Sequence, residues 1–325
     1  MRIVQYCKAL GDETRWRLVR LLARHELNVG ELVEVLGMGQ SRISRHLRIL
    51  AEAGLVRVRR EGLWAFYRAG EDEPAQGFLA AAEAVAVADA PDGALEGSGA
   101  ARDLERAEAV LRRRVQATRT FFDAVAPEWE RLRTEVLGGF DLAGAILAAA
   151  APQGVGPDVA ADLGCGTGDL LQALAGAARL AIGVDNSPGM IETARTRFGA
   201  DPRVSLRIGE LDHLPLRDGE ADFAVLSLVL HHFSDPAAVL AEAGRVLRPG
   251  GRLVVAEFDR HELERMRTEY GDHRLGIARA DMRRFFDQSG FRLDREDETV
   301  VNQGLRVVLY QGARVQAVTP QGGTR

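Results

Sequence analysis

The chain has 325 residues, of which 46% are hydrophobic and 27% charged. This is the composition of an ordinary globular protein that is long enough for two domains. Its longest apolar runs, such as residues 223–230, fall far short of the roughly 18 residues that a membrane span needs. The N-terminus carries no basic-then-apolar signal pattern, and two cysteines cannot build a disulfide framework, so membrane proteins and disulfide scaffolds are excluded. We expect a reduced, cytoplasmic setting and no membrane partner.

Charge is distributed unevenly along the chain. Residues 1–70 contain 13 Lys and Arg against 7 Asp and Glu, whereas the remainder contains 29 basic and 40 acidic residues. A basic module joined to an acidic one indicates that the first module meets an anion such as nucleic acid. A fluctuation of surface charge is the alternative interpretation.

The first 70 residues have the pattern of a small α+β domain. Its helices are predicted from hydrophobic spacing and from the glycines that end them. Its strands are predicted from two short apolar runs on either side of a turn. These are helices over 1–24, 28–36 and 41–53, then strands over 55–59 and 64–68 around a turn at 60–63. This order is typical of a winged helix-turn-helix.

The pattern changes twice after residue 70. An Ala-rich helix over 77–89 is followed by a break at 90–99, and an amphipathic helix then runs over 102–126 until Pro127. From residue 158 apolar strands alternate with helices, which predicts a parallel sheet with helices on both faces. The predicted strands are 159–163, 180–184, 204–208, 223–228 and 252–258, with two final strands over 291–300 and 305–311.

These patterns predict two domains, an α+β winged helix-turn-helix followed by an α/β Rossmann-like domain. The predicted boundaries are 1–70 for the DNA-binding domain, 71–150 for a linker and helical dimerisation region, 151–312 for the α/β domain and 313–325 for a disordered tail.

A glycine-rich segment follows the first strand of the α/β part and opens a helix. It reads Asp162-Leu163-Gly164-Cys165-Gly166-Thr167-Gly168. Glycines at this bend allow tight backbone geometry and a close approach of a ligand. Asp185 comes 17 residues after Gly168, at the end of the next strand, where a carboxylate can accept hydrogen bonds from a ribose diol.

This segment and Asp185 resemble motif I and its acidic partner in class I S-adenosylmethionine-dependent methyltransferases. Residues 209–215 resemble the segment that holds adenine, 223–233 the fourth strand and its continuation, and 245–251 the R-V-L-R-P-G-G turn before the fifth strand. The resemblance spans about 155–312. A nicotinamide-binding Rossmann protein is the competing interpretation, but it would carry G-x-G-x-x-G and lacks that turn.

The resemblance implies that the chain binds S-adenosyl-L-methionine and yields S-adenosyl-L-homocysteine. Asp162 would orient the methionine ammonium group, Asp185 would bind the ribose hydroxyls, and Glu210 would meet adenine, where the family more often has Asp. The residues implied for the cofactor are Asp162, Gly164, Cys165, Gly166, Gly168, Asp185, Asn186, Glu210, Leu211 and Ser227.

Methyl transfer requires mainly that the acceptor be held in line with the methyl group, and some enzymes also use a base. The candidate bases are His231 and His232, just after the fourth strand, although they could equally pack or cap the next helix. No Asn-Pro-Pro-Tyr motif for methylation of amino groups occurs there. The methyl acceptor is therefore left open, with a small molecule expected.

Four segments within about 3–70 resemble, in order, the ArsR family of bacterial repressors. They are A-L-G-D-E-T-R at 9–15, the segment 40–50, A-G-L-V at 53–56 and the wing at 59–68. The resemblance implies that a recognition helix enters the major groove while the wing touches the backbone or minor groove. The implied DNA-binding residues are Gln40, Ser41, Arg42, Ser44, Arg45, His46, Arg48, Arg59 and Arg60.

The chain departs from the metal sensors of that family. The sensors place cysteines in the segment that here spans 26–32, where this chain has Asn28 and Gly30, and residues 74–115 lack histidine. We therefore expect no metal, either as a sensed ligand or as a cofactor.

We expect a homodimer that binds an inverted-repeat operator. Two functions remain open for the C-terminal domain: a working methyltransferase carried by a regulator, or a pocket that senses S-adenosylmethionine or its product and alters operator binding. A methyltransferase with a helix-turn-helix that does not bind DNA is a third interpretation.

Overall fold

The computed structural model describes residues 1–61, 64–88, 99–150 and 156–315. The chain divides into two compact units, Met1–Ala117 and Thr118–Arg325. The middle of the predicted wing turn, most of the predicted break at 90–99 and residues 316–325 of the predicted tail lie outside the described residues, whereas residues 313 and 314 belong to the last strand. The predicted boundaries at 70, 150 and 312 stay predictions.

The first unit is a winged helix-turn-helix. Three strands form an antiparallel sheet in the order β1-β3-β2, beside a bundle of helices. The elements are α1 (Arg2–Leu10), α2 (Glu13–Arg24), β1 (Leu27–Asn28), α3 (Val29–Leu36), α4 (Gln40–Glu52), β2 (Val56–Glu61), β3 (Trp64–Ala69) and α5 (Glu73–Ala88). Arg60 and Glu61 lie in β2, so their predicted place in the turn is wrong.

The predicted helical segment over 1–24, in which Asp12 or Thr14 can cap a new turn, forms two helices that are divided at Asp12. Asp12 has extended backbone (φ −151°, ψ 130°), and its side chain accepts a hydrogen bond from Arg15 N at 3.1 Å. Asp12 therefore caps α2, and a capping residue with extended backbone interrupts the helix before it.

The turn before the recognition helix is fixed by caps at both ends of α3. Asn28 and Glu31 form a reciprocal capping box, and Gly37 ends the helix in the left-handed region at φ 63°. The apolar faces of α2, α3 and α4 then bury leucines in a shared core. This packing holds the opposite face of α4 toward solvent.

Helix α6 (Gly99–Val125) begins in the first unit and ends in the second. Within the first unit, Arg17 donates to both oxygens of Asp103 at 2.6 and 2.8 Å, and the Asp103 side chain is only 3% exposed. Arg114 of the same helix bonds Glu31. These ion pairs fasten the start of α6 to α2 and α3.

The second unit is built on a seven-stranded sheet in the order β6-β5-β4-β7-β8-β10-β9. Strands β4 to β8 are parallel, and β10 runs antiparallel to β8 and β9. The strands are β4 (Val159–Leu163), β5 (Leu180–Asp185), β6 (Val204–Ile208), β7 (Ala221–Ser227), β8 (Leu247–Phe258), β9 (Phe291–Val300) and β10 (Arg306–Arg314). All seven predicted strands of this part are confirmed, with ends that differ by a few residues.

Helices cover both faces of this sheet, and a separate apolar core lies on each face. They are α7 (Trp129–Leu137), α8 (Leu142–Ala150), α9 (Asp169–Ala177), α10 (Pro188–Phe198), α11 (Pro236–Val246), α12 (Arg265–Glu269) and α13 (Arg279–Gln288). Helices α7 and α8 were not among the predicted elements. Among the described residues, no helix is both long and apolar enough to cross a bilayer.

The order of the strands in the sheet indicates where the candidate site lies. After β4 the chain builds β5 and β6 on one side and then returns to build β7 and β8 on the other. Ligands of open α/β sheets bind at such a switch point, beyond the carboxyl ends of the strands. The ends of β4, β5 and β7 therefore define where a cofactor would lie.

Candidate cofactor, acceptor and DNA sites

The glycine-rich loop leaves β4 in a tight bend. Gly164 has φ +84°, and a Cβ on it would lie 2.8 Å from the Val229 side chain. The N–H groups of Gly164 and Cys165 both donate to the carbonyl of Val184, at 2.8 and 2.9 Å. Only glycine fits this combination of left-handed backbone and close packing.

Not all the predicted loop residues face open space. Cys165 is buried, and its Sγ lies 2.9 Å from where a Cβ on Gly183 would stand. A Cβ on Gly168 would clash with Phe198 of α10 at 2.6 Å. These two residues serve the packing of the loop against its neighbours, whereas Gly164 and Gly166 are half-buried.

Asp162 is a buried carboxylate without a partner. Asp162 is the second-to-last residue of β4 and is 1% exposed. Neither of its carboxylate oxygens has a hydrogen-bond partner among the described residues. Burial, with the nearby negative charges of Asp185 and Asp169, raises the pKa of Asp162 to about 8. Such a group requires a cationic or donating ligand to be ionised at neutral pH.

Asp185 at the end of β5 holds the loop from the other side. One oxygen accepts from Gly166 N at 2.9 Å and the other from Ser187 N at 2.9 Å. Burial raises the pKa of Asp185, although these backbone N–H donors oppose the rise. A carboxylate has about four acceptor positions, so Asp185 retains acceptor capacity for a diol.

The predicted adenine side forms a small polar edge. Asn186 Nδ2 donates to Glu210 Oε2 at 2.9 Å, and Leu211 beside it is buried. Ser227 ends β7, and Leu228 after it has φ 53°, a left-handed conformation that is costly for leucine. This bend turns the following residues so that Val229 lies against Gly164.

The end of α6 and the start of α7 also contribute residues to the site, and these residues were not among those predicted from the sequence. Asp123 Oδ1 accepts from Ser187 Oγ at 2.6 Å and from Gly189 N at 3.0 Å. A Cβ on Gly166 would lie 3.5 Å from Trp129 Nε1, and Phe122 meets Trp129 edge-on at 5.3 Å between ring centroids. The Phe121-Phe122 pair and Trp129 were visible as aromatics, but nothing local indicated what they cover.

The two candidate histidines lie next to this aromatic group but differ in their contacts. His231 is 2% exposed and lies between two carboxylates, with Nδ1 at 2.7 Å from Glu257 Oε1 and Nε2 at 3.3 Å from Asp272 Oδ1. Burial alone would lower the pKa of His231, but the two carboxylates outweigh it and raise the pKa well above its usual value. Both ring nitrogens of His231 are thus already engaged.

His232 keeps one ring nitrogen without a partner. Its Nδ1 is buried and has no hydrogen bond among the described residues, while the backbone of Gly271 bonds the ring. Its ring meets Phe122 edge-on at 4.9 Å. Burial and the neighbouring His231 hold the pKa of His232 well below its usual value, so the ring is neutral at pH 7.

The candidate DNA face lies on the solvent side of α4. Gln40, Ser41, Arg42, Arg45 and Arg48 are all exposed, and Ser44 is half-buried. Within the described part of the chain, no carboxylate pairs with any of these three arginines. Five exposed polar side chains on one helix face are an arrangement that can reach phosphates and base edges.

Two predicted DNA-contacting residues are engaged inside the domain. Arg59 donates to both oxygens of Glu26 at 3.0 and 2.8 Å and stacks over Phe66 at 4.6 Å. His46 is half-buried with Nδ1 at 3.7 Å from Asp12, and burial lowers its pKa. Arg60 by contrast is exposed on the wing strand.

Comparison with known proteins identifies both parts. Residues 12–58 match the family of bacterial regulatory proteins of the arsR type, and residues 161–255 match the methyltransferase domain family. An uncharacterized 37.1 kDa protein in transposon TN4556 of Streptomyces fradiae is 41% identical over 164 residues, 50% of this chain and 45% of that protein. A demethylmenaquinone methyltransferase of Corynebacterium kroppenstedtii is 32% identical over 170 residues, 51% of this chain and 71% of that enzyme.

A solved structure supports the fold of the second unit. The crystal structure of the [4+2]-cyclase SpnF matches 61% of this chain and 95% of its own, with a TM-score of 0.51 and 17% identity. The chain spans about half the length of the Streptomyces relative and 64% of a demethylmenaquinone methyltransferase of Clavibacter sepedonicus. From the matched families, the aligned share of the Corynebacterium enzyme and the fold, the chain belongs to the class I S-adenosylmethionine-dependent methyltransferases and carries an ArsR-family helix-turn-helix domain ahead of its methyltransferase domain.

Proposed function

We propose that the chain is a DNA-binding transcriptional regulator whose second unit binds S-adenosylmethionine and transfers its methyl group to a small molecule. The observation that carries the proposal is the buried carboxylate of Asp162 at the carboxyl edge of the sheet, whose two oxygens have no partner in the part of the chain that the structure describes. A fold of this type hosts several chemistries, so the function is inferred from the residues of the site and not from the fold.

The residues at this edge fit the cofactor. Burying an ionised carboxylate without a partner costs roughly several kcal/mol of folding free energy unless a positive group pairs with it. The methionine ammonium of the cofactor is such a group. Asp185 retains acceptor capacity for the ribose diol, and Gly164 permits the left-handed bend that brings the loop backbone to this edge of the sheet. We propose that Glu210 and Leu211, at the polar edge beside Asn186, hold the adenine.

The protein's part in the reaction is placement. Bound S-adenosylmethionine supplies a methyl group on a positively charged sulfur, which needs an acceptor held in line with it. Trp129 lies beside Gly166 of the glycine loop, and Phe122 packs edge-on against Trp129. Of the two histidines, His232 lies edge-on to Phe122, so we assign its ring to the acceptor side, and His231 lies between two carboxylates.

The aromatic lining favours an apolar, flat acceptor. Phe122, Trp129 and the edge of the neutral His232 ring form a continuous set of ring contacts. Several relatives are named demethylmenaquinone methyltransferases, a name that points to a small quinone-type molecule in those proteins. We extend to this chain only the class, a small apolar molecule.

The first unit supplies DNA binding. Arg42, Arg45 and Arg48, with Gln40 and Ser41, are the contacts that we propose for α4, and Arg60 is the contact that we propose for the wing. We propose that a homodimer presents two such helices to an inverted-repeat operator in the cytoplasm.

Transfer of a labelled methyl group tests the proposal. The full chain is incubated with S-adenosylmethionine labelled in the methyl group and a panel of hydroquinones and phenols, with duplex DNA and a protein mixture as competing acceptors. Label should enter a small acceptor with the wild type and with Asp158→Asn, an exposed residue just before β4, but not with Asp162→Asn. Label in DNA or protein alone, or equal transfer by Asp162→Asn, would contradict the proposal.

A further inference from the structure

The histidine and carboxylate cluster beyond β7 and β8 has unused ligand atoms. His231, His232 and Asp272 each offer one ligand atom, and these atoms all lie within 4.8 Å of one another. His232 Nδ1 and Asp272 Oδ2 are both buried and have no hydrogen-bond partner among the described residues. Buried polar groups without partners are uncommon in native structures and call for an explanation.

We propose that His231, His232 and Asp272 form a binding site for a divalent transition-metal ion of the zinc type. Two imidazoles and one carboxylate are a donor set that suits Zn²⁺, Co²⁺ and related ions. Three protein ligands leave a coordination position open to water or another molecule, as in sites that act on ligands. The sequence lacks the cysteine motif and the dimer-helix histidines of metal sensors and therefore predicts no metal, whereas these three side chains come together only in the fold.

The separations agree with such a site. His231 Nε2 and Asp272 Oδ1 are 3.3 Å apart, and two ligands of a tetrahedral ion at ~2.0 Å lie about 3.3 Å from each other. The three ligand atoms lie within 4.8 Å of one another, so the ring of His232 must approach by up to about 1.5 Å to complete a shell with ligand distances of ~2 Å. Its Nδ1 has no hydrogen bond among the described residues that this movement would break.

Glu257 supplies the supporting contact that metal-binding histidines commonly have. Its carboxylate lies 2.7 Å from His231 Nδ1, the ring nitrogen opposite the metal side. The same carboxylate accepts from His231 N at 3.1 Å and Phe258 N at 2.7 Å, so its orientation is fixed. A carboxylate–histidine–metal arrangement orients the ring and strengthens it as a ligand.

The carboxylate of Asp272 is enclosed by the fold. Asp272 is 6% exposed, and its Oδ2 has no hydrogen-bond partner among the described residues. The inference rests on this cluster and does not depend on methyl transfer.

Metal binding to the full chain tests the inference. Protein freed of metal with a chelator is dialysed against Zn²⁺ at micromolar concentration, and metal per chain is counted; Co²⁺ then reports the ligand geometry through its visible absorption. We expect one ion per wild-type chain. Asp272→Asn and His232→Gln should each weaken binding at least 100-fold, and Glu257→Gln about 10- to 100-fold.

Matched controls separate the site from adventitious binding. His213 is 87% exposed beside Asp212, and His213→Gln should bind metal like the wild type. Zinc should also raise the melting temperature of the wild-type chain, a readout that needs no variant to fold. Less than stoichiometric metal on the wild type, or binding lost in His213→Gln and kept in His232→Gln, would overturn the inference.

Discussion

The backbone N–H of Gly166 donates to the carboxylate of Asp185 at 2.9 Å, across the space between the ends of β4 and β5. The second oxygen of that carboxylate accepts from Ser187 N, at the start of α10. One side chain thus ties the glycine loop to the next strand and to a helix N-terminus. It also keeps acceptor capacity for a ligand, so its loss should affect binding through both the loop and the direct contact.

Asp185→Ala should lower the affinity for S-adenosylhomocysteine at least 100-fold, because two charge-assisted hydrogen bonds at about 1.5–3 kcal/mol each would be lost. Calorimetric titration measures this, and operator affinity should be unchanged. Wild-type affinity for S-adenosylhomocysteine in the variant would remove Asp185 from the site, and loss of operator binding as well would show that the chain had unfolded.

Ligand binding should release a proton from Asp162. Its pKa in the free protein is about 8, so the group is mostly protonated at pH 7, and a bound ammonium would favour the ionised form. Affinity should therefore rise with pH up to about 8. Titrations at pH 7 in two buffers of different ionisation enthalpy measure the release, which should disappear in Asp162→Asn; equal heats in both buffers for the wild type would contradict it.

The same shift has a consequence for the free protein's stability. The folded pKa of Asp162 lies above the ordinary value of 3.8, so its contribution is fully present below about pH 4 and is lost as pH rises through 8. Ligand should restore stability in that upper range. Chemical denaturation at pH 6 and pH 8.5, with and without S-adenosylhomocysteine, checks the sign; Asp162→Asn should lose the dependence.

The strands of the second unit and the glycine loop after β4 could be predicted because hydrophobic periodicity and composition are local signals. Val159–Leu163 and the glycines after it carry that information in adjacent residues. The covering residues Asp123 and Trp129 could not be predicted, because they reach the site from outside the repeating pattern. Arg59 and His46 show the same limit, since an arginine's charge does not indicate whether a Glu26 lies within reach.

Two arginines should separate DNA contact from domain stability. Arg45→Ala should weaken operator binding and reduce its salt dependence by about one phosphate contact, without changing the free energy of unfolding. Arg59→Ala should instead destabilise the first unit by about 2 kcal/mol, because two charge-assisted bonds to Glu26 are lost. Anisotropy titrations at several salt concentrations and urea denaturation measure the two effects; exchanged outcomes would reverse the assignments.

Trp129 should report on the cofactor and contribute to its binding. Trp129→Ala removes the cover of Gly166 and should lower affinity about tenfold, or 1.4 kcal/mol, whereas Trp129→Phe should retain most of it. Trp64, which is 47% exposed in the first unit, provides the matched control. Ligand should quench tryptophan fluorescence in the Trp64→Phe variant and not in Trp129→Phe; quenching that persists in Trp129→Phe would place the ligand elsewhere.

The most direct measurement is a calorimetric titration of the full chain with S-adenosylmethionine, repeated with Asp162→Asn and Asp158→Asn. The account predicts one ligand per chain for the wild type and for Asp158→Asn, at the exposed position just before β4. It predicts binding at least tenfold weaker for Asp162→Asn, which removes the carboxylate that meets the ammonium group. Absence of binding by the wild type, or equal affinity in all three proteins, would contradict the account.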